Sequence, residues 1–314
     1  MFQRKIATGR FTLAWAVVIA LLAWTFHASL TTLSIPLWGS MGGGLLASFL
    51  AIWLMAELNN QFALLRISSR MLSTLLMLLL AASPMLHDLS FSHLVLIAAI
   101  LAYFNLFATY QRPQATTHTF LIYFLLAVAS IVFPQLLMLV PVWWVAQLML
   151  RSLSFRSWIA SLLGLVTPYW LVLTAAYCTD RLPLLRDQLT TGWTPAATSL
   201  SLLQLGESLA VGILFLIGTI DFLLRKHLDK TRTRNFFYVA ILIGIASFAL
   251  LAFYPQHFDN IFPLVLIGTA MLGGHFAALS YGRLQNILVI TFFILLLAAA
   301  FVLPLLSALR VPIA

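Results

Sequence analysis

The chain has 314 residues, of which 62% are hydrophobic and only 8% are charged. A soluble domain carries about 25% charged residues, so a chain this apolar cannot cover a water-facing surface and needs lipid as its main solvent. The net charge of +9 comes from basic residues that lie singly or in short clusters between apolar runs. That pattern is typical of cytoplasmic loops in membrane proteins and argues against a nucleic-acid-binding surface.

The long apolar runs predict an all-α fold, a polytopic bundle of transmembrane helices. Backbone polar groups in lipid must be paired internally, and runs that are continuous rather than alternating favour helices over a barrel. A span needs roughly 20 residues, so the chain has room for about eleven. In chain order the predicted spans are residues 11–27, 42–56, 71–85, a run ending near 109, 119–133, 135–150, 158–178, 206–224, 236–254, 261–281 and 287–306.

The fifth and sixth predicted spans are short and are separated only by Pro134. They form either two spans or a re-entrant pair, and a total of ten spans is also open. Between the sixth and seventh spans lies a basic turn, Arg151-Ser-Leu-Ser-Phe-Arg-Ser-Trp158, which we interpret as a cytoplasmic orientation anchor rather than an active site.

The distribution of Lys and Arg predicts the orientation. With the N-terminus in the cytoplasm, eleven spans place fourteen of the seventeen basic residues in cytoplasmic links, and only Arg181, Arg186 and Arg310 fall elsewhere. The positive-inside bias therefore favours eleven spans with a cytoplasmic N-terminus. We expect a single integral membrane domain over residues 1–314, in the inner membrane of a bacterium, with the phospholipid bilayer as its partner and no nucleic acid.

Ionisable residues lie within the eighth and the tenth predicted spans, where such residues are candidates for function. Glu207 begins the eighth span, although a carboxylate is also favoured by the positive N-terminus of a helix. Asp221 lies four residues before Arg225 in the same span and is expected to pair with it. His275 lies in the tenth span beside two glycines that would admit a neighbouring helix or a ligand. It is either a proton-handling or ligand-binding group, or a histidine hydrogen-bonded to a neighbouring helix.

The longest segment outside the spans, residues 179–205, holds Arg181 and Arg186 on the predicted outer side. These arginines are candidates to bind phosphate or carboxylate. The stretch Asp180 to Asp187 also fits an amphipathic element lying on the membrane, with leucines towards the lipid and charges towards water. The two interpretations are compatible.

Histidines and acids recur in the outer links, but none has the spacing of a recognised metal site, so we expect neither a metal nor a cofactor. The residues concerned are His27, His87, Asp88, His93, Asp180, Asp187, His257 and Asp259. The chain lacks a phosphate-binding Gly-rich loop and a Gly-x-Ser-x-Gly elbow. No catalytic residue is identified, and whether the protein is an enzyme stays open.

Three motifs carry a resemblance to a known family: Leu58-Asn-Asn-Gln61, Phe104-Asn-Leu-Phe107, and the basic turn together with the helix that follows it, as far as Tyr169. Over roughly residues 51–174 the chain resembles an uncharacterised family of multi-pass inner-membrane proteins from Bacteroidota. The resemblance implies a polytopic membrane fold and no particular activity.

The order helix, proline, helix, basic turn and helix ending in Pro168-Tyr169 is also similar to the C superfamily of membrane glycosyltransferases. That likeness implies the use of lipid-linked sugars. Those enzymes usually carry a catalytic carboxylate in the first outer loop, whereas the corresponding residues 28–38 include no Asp or Glu.

Three functions follow as hypotheses. The first is the handling of a lipid or a lipid-linked saccharide in cell-envelope biogenesis, with Arg181, Arg186 and Glu207 on the working face. The second is secondary transport of a small solute, with Glu207 and His275 as coupling or substrate-binding groups. The third is a non-catalytic membrane scaffold. A groove open to lipid beside the arginines favours the first, and an enclosed cavity at His275 with broken helices favours the second.

Overall fold

The computed structural model describes residues 12–30, 35–191, 193, 200–279 and 282–308. It is all-helical, with 87% helix and no strand among these residues. The α-helices are α1 (Thr12–Leu30), α2 (Ile35–Phe62), α3 (Met71–Ala82), α4 (Phe91–Ala108), α5 (Thr116–Val132), α6 (Val140–Met149), α7 (Phe155–Cys178), α8 (Leu182–Thr191), α9 (Leu202–Arg225), α10 (Thr231–Phe253), α11 (Phe258–Leu279) and α12 (Arg283–Ala308). Three short 3-10 turns begin at a proline, and they span Pro84–Leu86, Pro134–Leu139 and Pro255–His257. A fourth spans Lys226–Leu228.

Eight described helices are long and apolar enough to cross a membrane, and three shorter apolar segments, 71–82, 116–132 and 134–149, accompany them. Each of the eleven predicted spans falls on one of these helices, so the all-helical fold and its apolar segments are confirmed. The number of helices that cross the membrane, and the orientation of the chain, stay predictions.

The chain divides into two compact units. The first comprises Met1–His93, Leu200–Arg234 and Val265–Ala314, and the second comprises Leu94–Ser199 and Asn235–Leu264. The expectation of one membrane domain over residues 1–314 stays a prediction.

The centre of the first unit is α3, which is buried on every side and packs against α1, α2 and α12. At 1.5 Å per residue its twelve residues extend about 18 Å, well short of the roughly 30 Å of a hydrocarbon core. It ends because Ser83 precedes Pro84 and takes an extended conformation, as residues before proline do. The predicted span 71–85 is therefore a short helix enclosed by protein.

Glycines bring helix backbones close together around α3. A Cβ atom added to Gly274 of α11 would lie 2.9 Å from the Cα atom of Leu72 in α3, and one added to Gly218 of α9 would lie 2.7 Å from the carbonyl carbon of Leu272. Helix contacts in membranes rely on such small residues, because lipid leaves no hydrophobic force to drive helices together.

In the second unit, α5 packs along α7, and serines organise the basic turn before α7. The Ser154 hydroxyl accepts a hydrogen bond from the Ser157 amide and caps α7. The Ser157 hydroxyl donates to the Ser152 carbonyl at 3.3 Å. Ser152 in turn donates to the Gln147 carbonyl at 3.1 Å. These serines satisfy backbone groups at the end of one helix and the start of the next, which gives the turn a structural role.

Candidate functional site: a buried charge centre at Asp229

Two basic side chains from separate parts of the first unit meet at one buried carboxylate, that of Asp229. Asp229 Oδ1 lies 2.8 Å from Arg66 Nε, and Asp229 Oδ2 lies 3.1 Å from His275 Nε2. The side chains of Asp229 and His275 are 0% and 1% exposed, whereas that of Arg66 is 33% exposed. We call Arg66, Asp229 and His275 the charge centre.

The chain places Asp229 just beyond the end of α9. The 3-10 turn Lys226–Leu228 leads to it, and its amide donates to the Lys226 carbonyl at 3.1 Å. Its backbone is extended, as expected of a residue that separates two helical segments before α10 begins at Thr231. The carboxylate thus lies on the link between α9 and α10.

Arg66 lies on the loop between α2 and α3, and Asn59 holds that loop against the end of α2. The Asn59 Nδ2 donates to the Ser69 carbonyl at 3.0 Å, and its Oδ1 accepts the Leu65 amide at 3.3 Å. Asn59 belongs to the Leu58-Asn-Asn-Gln61 motif, and its hydrogen bonds to this loop help to position Arg66.

His275 comes from α11, next to Gly273 and Gly274. The ring of Phe222 meets its imidazole edge-on, with ring centroids 5.5 Å apart. An ionised carboxylate only accepts hydrogen bonds, so beside an ionised Asp229 the His275 Nε2 atom carries a proton. The charge centre is then neutral when the imidazole is neutral, and it gains one positive charge when a proton binds to His275 or Asp229.

Because Asp229 and His275 are buried, the stability of the charge centre depends on whether each charge has a partner of opposite sign. Removing a charge from water is costly, and the cost is offset only when a partner of opposite charge remains in place. Asp229 has two competing partners, of which Arg66 is reached by solvent. Chemically, the centre is a buried carboxylate that holds two basic side chains at once, and loss of its charge would remove the attraction between Asp229 and Arg66.

A second acid–base pair lies on α9. Asp221 Oδ1 and Arg225 Nε are 3.2 Å apart, one helical turn from each other, which confirms the predicted pairing.

The four predicted site residues are divided between the two units. His275 belongs to the charge centre. Glu207 is also in the first unit and is 8% exposed, but it lies eighteen positions before Arg225, where α9 ends, a rise of about 27 Å. Asp229 lies beyond that end of the helix. Arg181 and Arg186 are exposed residues of the second unit. The predicted grouping of Arg181, Arg186 and Glu207 therefore joins residues of different units.

The amphipathic element expected at residues 180–187 is the helix α8, and a hollow of 580 Å³ lies beside it. Four leucines and a proline line the hollow on its apolar side, and Arg186 and Asp187 contribute charges. Arg181 precedes the helix and donates its amide to the Ala176 carbonyl at 2.8 Å. The hollow thus combines an apolar wall with one of the two predicted anion-binding arginines.

Two histidines of the predicted first and second outer links lie next to each other, and one of them stacks on a tryptophan. His87 stacks on Trp24 with ring centroids 4.0 Å apart, and His27 approaches His87 at 5.0 Å. Burial, helped by the nearby His27, lowers the pKa of His87 to about 3, so this imidazole is neutral at ordinary pH. Within the described ranges, no three His, Cys, Asp or Glu residues lie together in a way that could hold a metal ion.

Sequence reasoning missed Asp229 and the role of Arg66. Asp229 is the one acid within the cluster formed by Arg225, Lys226, Lys230, Arg232 and Arg234. A lone acid among five basic residues was the available signal, but it was overlooked because the cluster was used only to predict orientation.

Comparison of the chain with protein-family models, curated proteins and solved structures gives no match. The resemblances to the Bacteroidota family and to the glycosyltransferase superfamily therefore stay predictions. The long apolar helices support a membrane protein, and the charge centre is a buried ionisable site in its first unit.

Proposed function

We propose that this protein is a secondary transporter of a small solute, coupled to protons through the charge centre. The observation that carries the proposal is the fully buried Asp229 carboxylate shared between His275 and Arg66. Ionisable residues inside helical membrane proteins are costly and commonly mark ion pathways and proton relays. A carboxylate with two competing basic partners provides a group whose charge and contacts can change together.

The proposed coupling step is the exchange of a proton for Arg66 at Asp229. A proton on the carboxylate removes its charge, and Arg66, which is already one-third exposed, is then free to move into water. Arg66 lies on the loop that enters α3, and α3 packs against the glycines of α11. Proton binding would thereby favour one arrangement of α3 over another, which is the differential interaction that a coupled transition requires.

The proposal includes the predicted topology of eleven spans with the N-terminus in the cytoplasm of a bacterium. The links that carry Arg66 and Asp229 are then both cytoplasmic, so the charge centre would exchange protons with that side. The short buried helix α3, broken at Pro84, is consistent with the discontinuous helices that line transporter binding sites.

A second candidate function, the handling of a lipid or a lipid-linked saccharide, is favoured by the hollow beside α8. Its leucines would contact an acyl chain, and Arg186 would pair with a phosphate. Replacing Arg186 with Ala would then lower the amount of anionic lipid that co-purifies with the protein, whereas replacing the exposed Arg156 would not. A scaffold without a site is the remaining interpretation if both functions fail.

The test of transport uses purified protein in liposomes that contain a pH-sensitive dye. Pools of sugars, amino acids and organic acids are added outside, and a solute that is transported with protons changes the internal pH. We expect the change to be abolished by Asp229→Asn and retained by Asp221→Asn, which alters another Arg-paired aspartate near the end of α9. A response that survives Asp229→Asn, or no response to any pool, would contradict the proposal.

A further inference from the structure

A second site with polar residues lies in the first unit, between α1 and α2, and none of the charge centre residues lines it. It is a hollow of 320 Å³, within the size range of small-molecule sites. Its walls are apolar and include Val17, Phe49 and Ile52. Its polar residues are Glu57, Asn60 and Arg70.

The polar and apolar residues of the hollow are separated along α2. Ile52 and Trp53 lie three and four residues after Phe49, and Glu57 and Asn60 continue from Trp53 at spacings of four and three, so the five residues share one face of the helix. The first three are apolar or aromatic, and the polar ones follow in the last turns before Phe62. The face therefore changes from apolar to polar towards the helix end, as a bilayer changes from its hydrocarbon core to its head groups. Trp53 is 62% exposed and lies where the two parts meet.

Arg70 is held beside this face by its own loop. Asn59 fixes the preceding residue through its hydrogen bond to the Ser69 carbonyl. The Arg70 carbonyl accepts both the amide and the hydroxyl of Thr74, at 2.9 and 3.0 Å. Glu57 and Arg70 are both exposed, and the ion pairs of the described residues do not join them to each other.

A ligand that matches this hollow needs an apolar chain, an anion for Arg70 and a cation for Glu57. A phospholipid with a primary ammonium head group, the phosphatidylethanolamine class, has all three. Its phosphate suits the guanidinium, and its ammonium has three N–H donors for the carboxylate and the Asn60 amide oxygen. A phosphatidylcholine head group has no such donors, and phosphatidylglycerol has no cation.

We infer that the hollow between α1 and α2 is a binding site for phosphatidylethanolamine, in which Arg70 pairs with the phosphate and Glu57 pairs with the ammonium. The inference is independent of the proposed transport function, because none of its residues belongs to the charge centre.

The experiment is native mass spectrometry of the detergent-purified protein titrated with dioleoyl phosphatidylethanolamine, phosphatidylcholine or phosphatidylglycerol. The three lipids have the same acyl chains, so differences in affinity report the head group. We expect the unmodified protein to bind phosphatidylethanolamine about tenfold or more tightly than the other two, the effect of one charge-assisted hydrogen bond. Equal affinities for the three lipids would overturn the inference without any need for a variant.

Two variants then assign the contacts. Glu57→Gln should remove the preference over phosphatidylcholine, and Arg70→Gln should weaken binding of all three phosphate-containing lipids. Arg156→Gln and Asp180→Asn, which alter exposed charges elsewhere, should leave the affinities unchanged. A preference that survives both Glu57→Gln and Arg70→Gln would place the selective site elsewhere and would also overturn the inference.

Discussion

The ion pair between Arg66 and Asp229 should be measurable as a coupling energy. Removing one partner of a buried ion pair costs about 3–5 kcal/mol. Because the Arg66 side chain is one-third exposed, water already reaches it, and we expect Arg66→Gln to cost about 2–3 kcal/mol. Asp229→Asn keeps a polar group beside both partners and should cost about 1–2 kcal/mol.

The double variant distinguishes an interaction from two separate losses. Once the carboxylate is neutral, Arg66→Gln no longer leaves a buried charge behind. The two changes together should therefore cost about 1–2 kcal/mol less than the sum of the separate costs. The free energy of unfolding is measured by denaturant titration of the protein in mild detergent, at one pH.

Arg70→Gln provides the matched control, because Arg70 lies on the same loop and is exposed. Its cost should stay within about 0.5 kcal/mol, as is usual for surface changes. If Arg66→Gln is as mild as Arg70→Gln, or if the double variant is simply additive, the charge centre does not hold the loop to Asp229 and the reasoning fails.

Three further predictions concern other parts of the fold. Gly218→Ala should destabilise the protein by about 1–3 kcal/mol, because the new Cβ atom would meet the Leu272 backbone at 2.7 Å. His87 is kept neutral by its lowered pKa of about 3, whereas the unfolded chain binds a proton below about pH 6.5. Stability should therefore fall as the pH drops from 6.5 towards 3, by up to about 1.4 kcal/mol per pH unit, in thermal unfolding scans. Ser154→Ala should lower stability by about 1 kcal/mol through loss of the α7 cap.

Each of these predictions has its own control. Gly206→Ala, also in α9 but with nothing within 4 Å of the added Cβ, should be neutral or stabilising. His87→Asn should flatten the pH dependence between pH 6.5 and 5, and an unchanged slope would count against the assignment to His87. For the cap, Ser154→Asp should keep most of the stability that Ser154→Ala loses, since aspartate is also a good cap.

The helices were predictable because span length and apolar content depend only on local sequence. All eleven apolar runs fall on helices, and the break at Pro134 was expected from the backbone restriction that proline imposes. The short length of α3 was not predicted, because Met85 and Leu86 continue the apolar run and composition does not distinguish a helix enclosed by protein from one facing lipid. Pro84 was an available signal for the end of the helix, but the prediction of this span did not use it.

The candidate site was predictable only in part, since it depends on contacts between residues far apart in the chain. His275 was identified as an ionisable residue within a span, but its partners lie 46 residues before it and on another loop, 209 positions away from it. No periodicity or spacing relates such positions. Asp221 and Arg225 were paired correctly because they are one helical turn apart, and that contact is local.

The central claim is that proton exchange at Asp229 couples solute movement to the proton gradient. The most direct measurement compares two activities of the Asp229→Asn variant in liposomes, for a solute found in the screen. One is accumulation driven by an imposed pH gradient, and the other is exchange of labelled for unlabelled solute with no gradient. The account predicts that exchange persists and that gradient-driven accumulation is lost. Accumulation equal to that of the unmodified protein would contradict it.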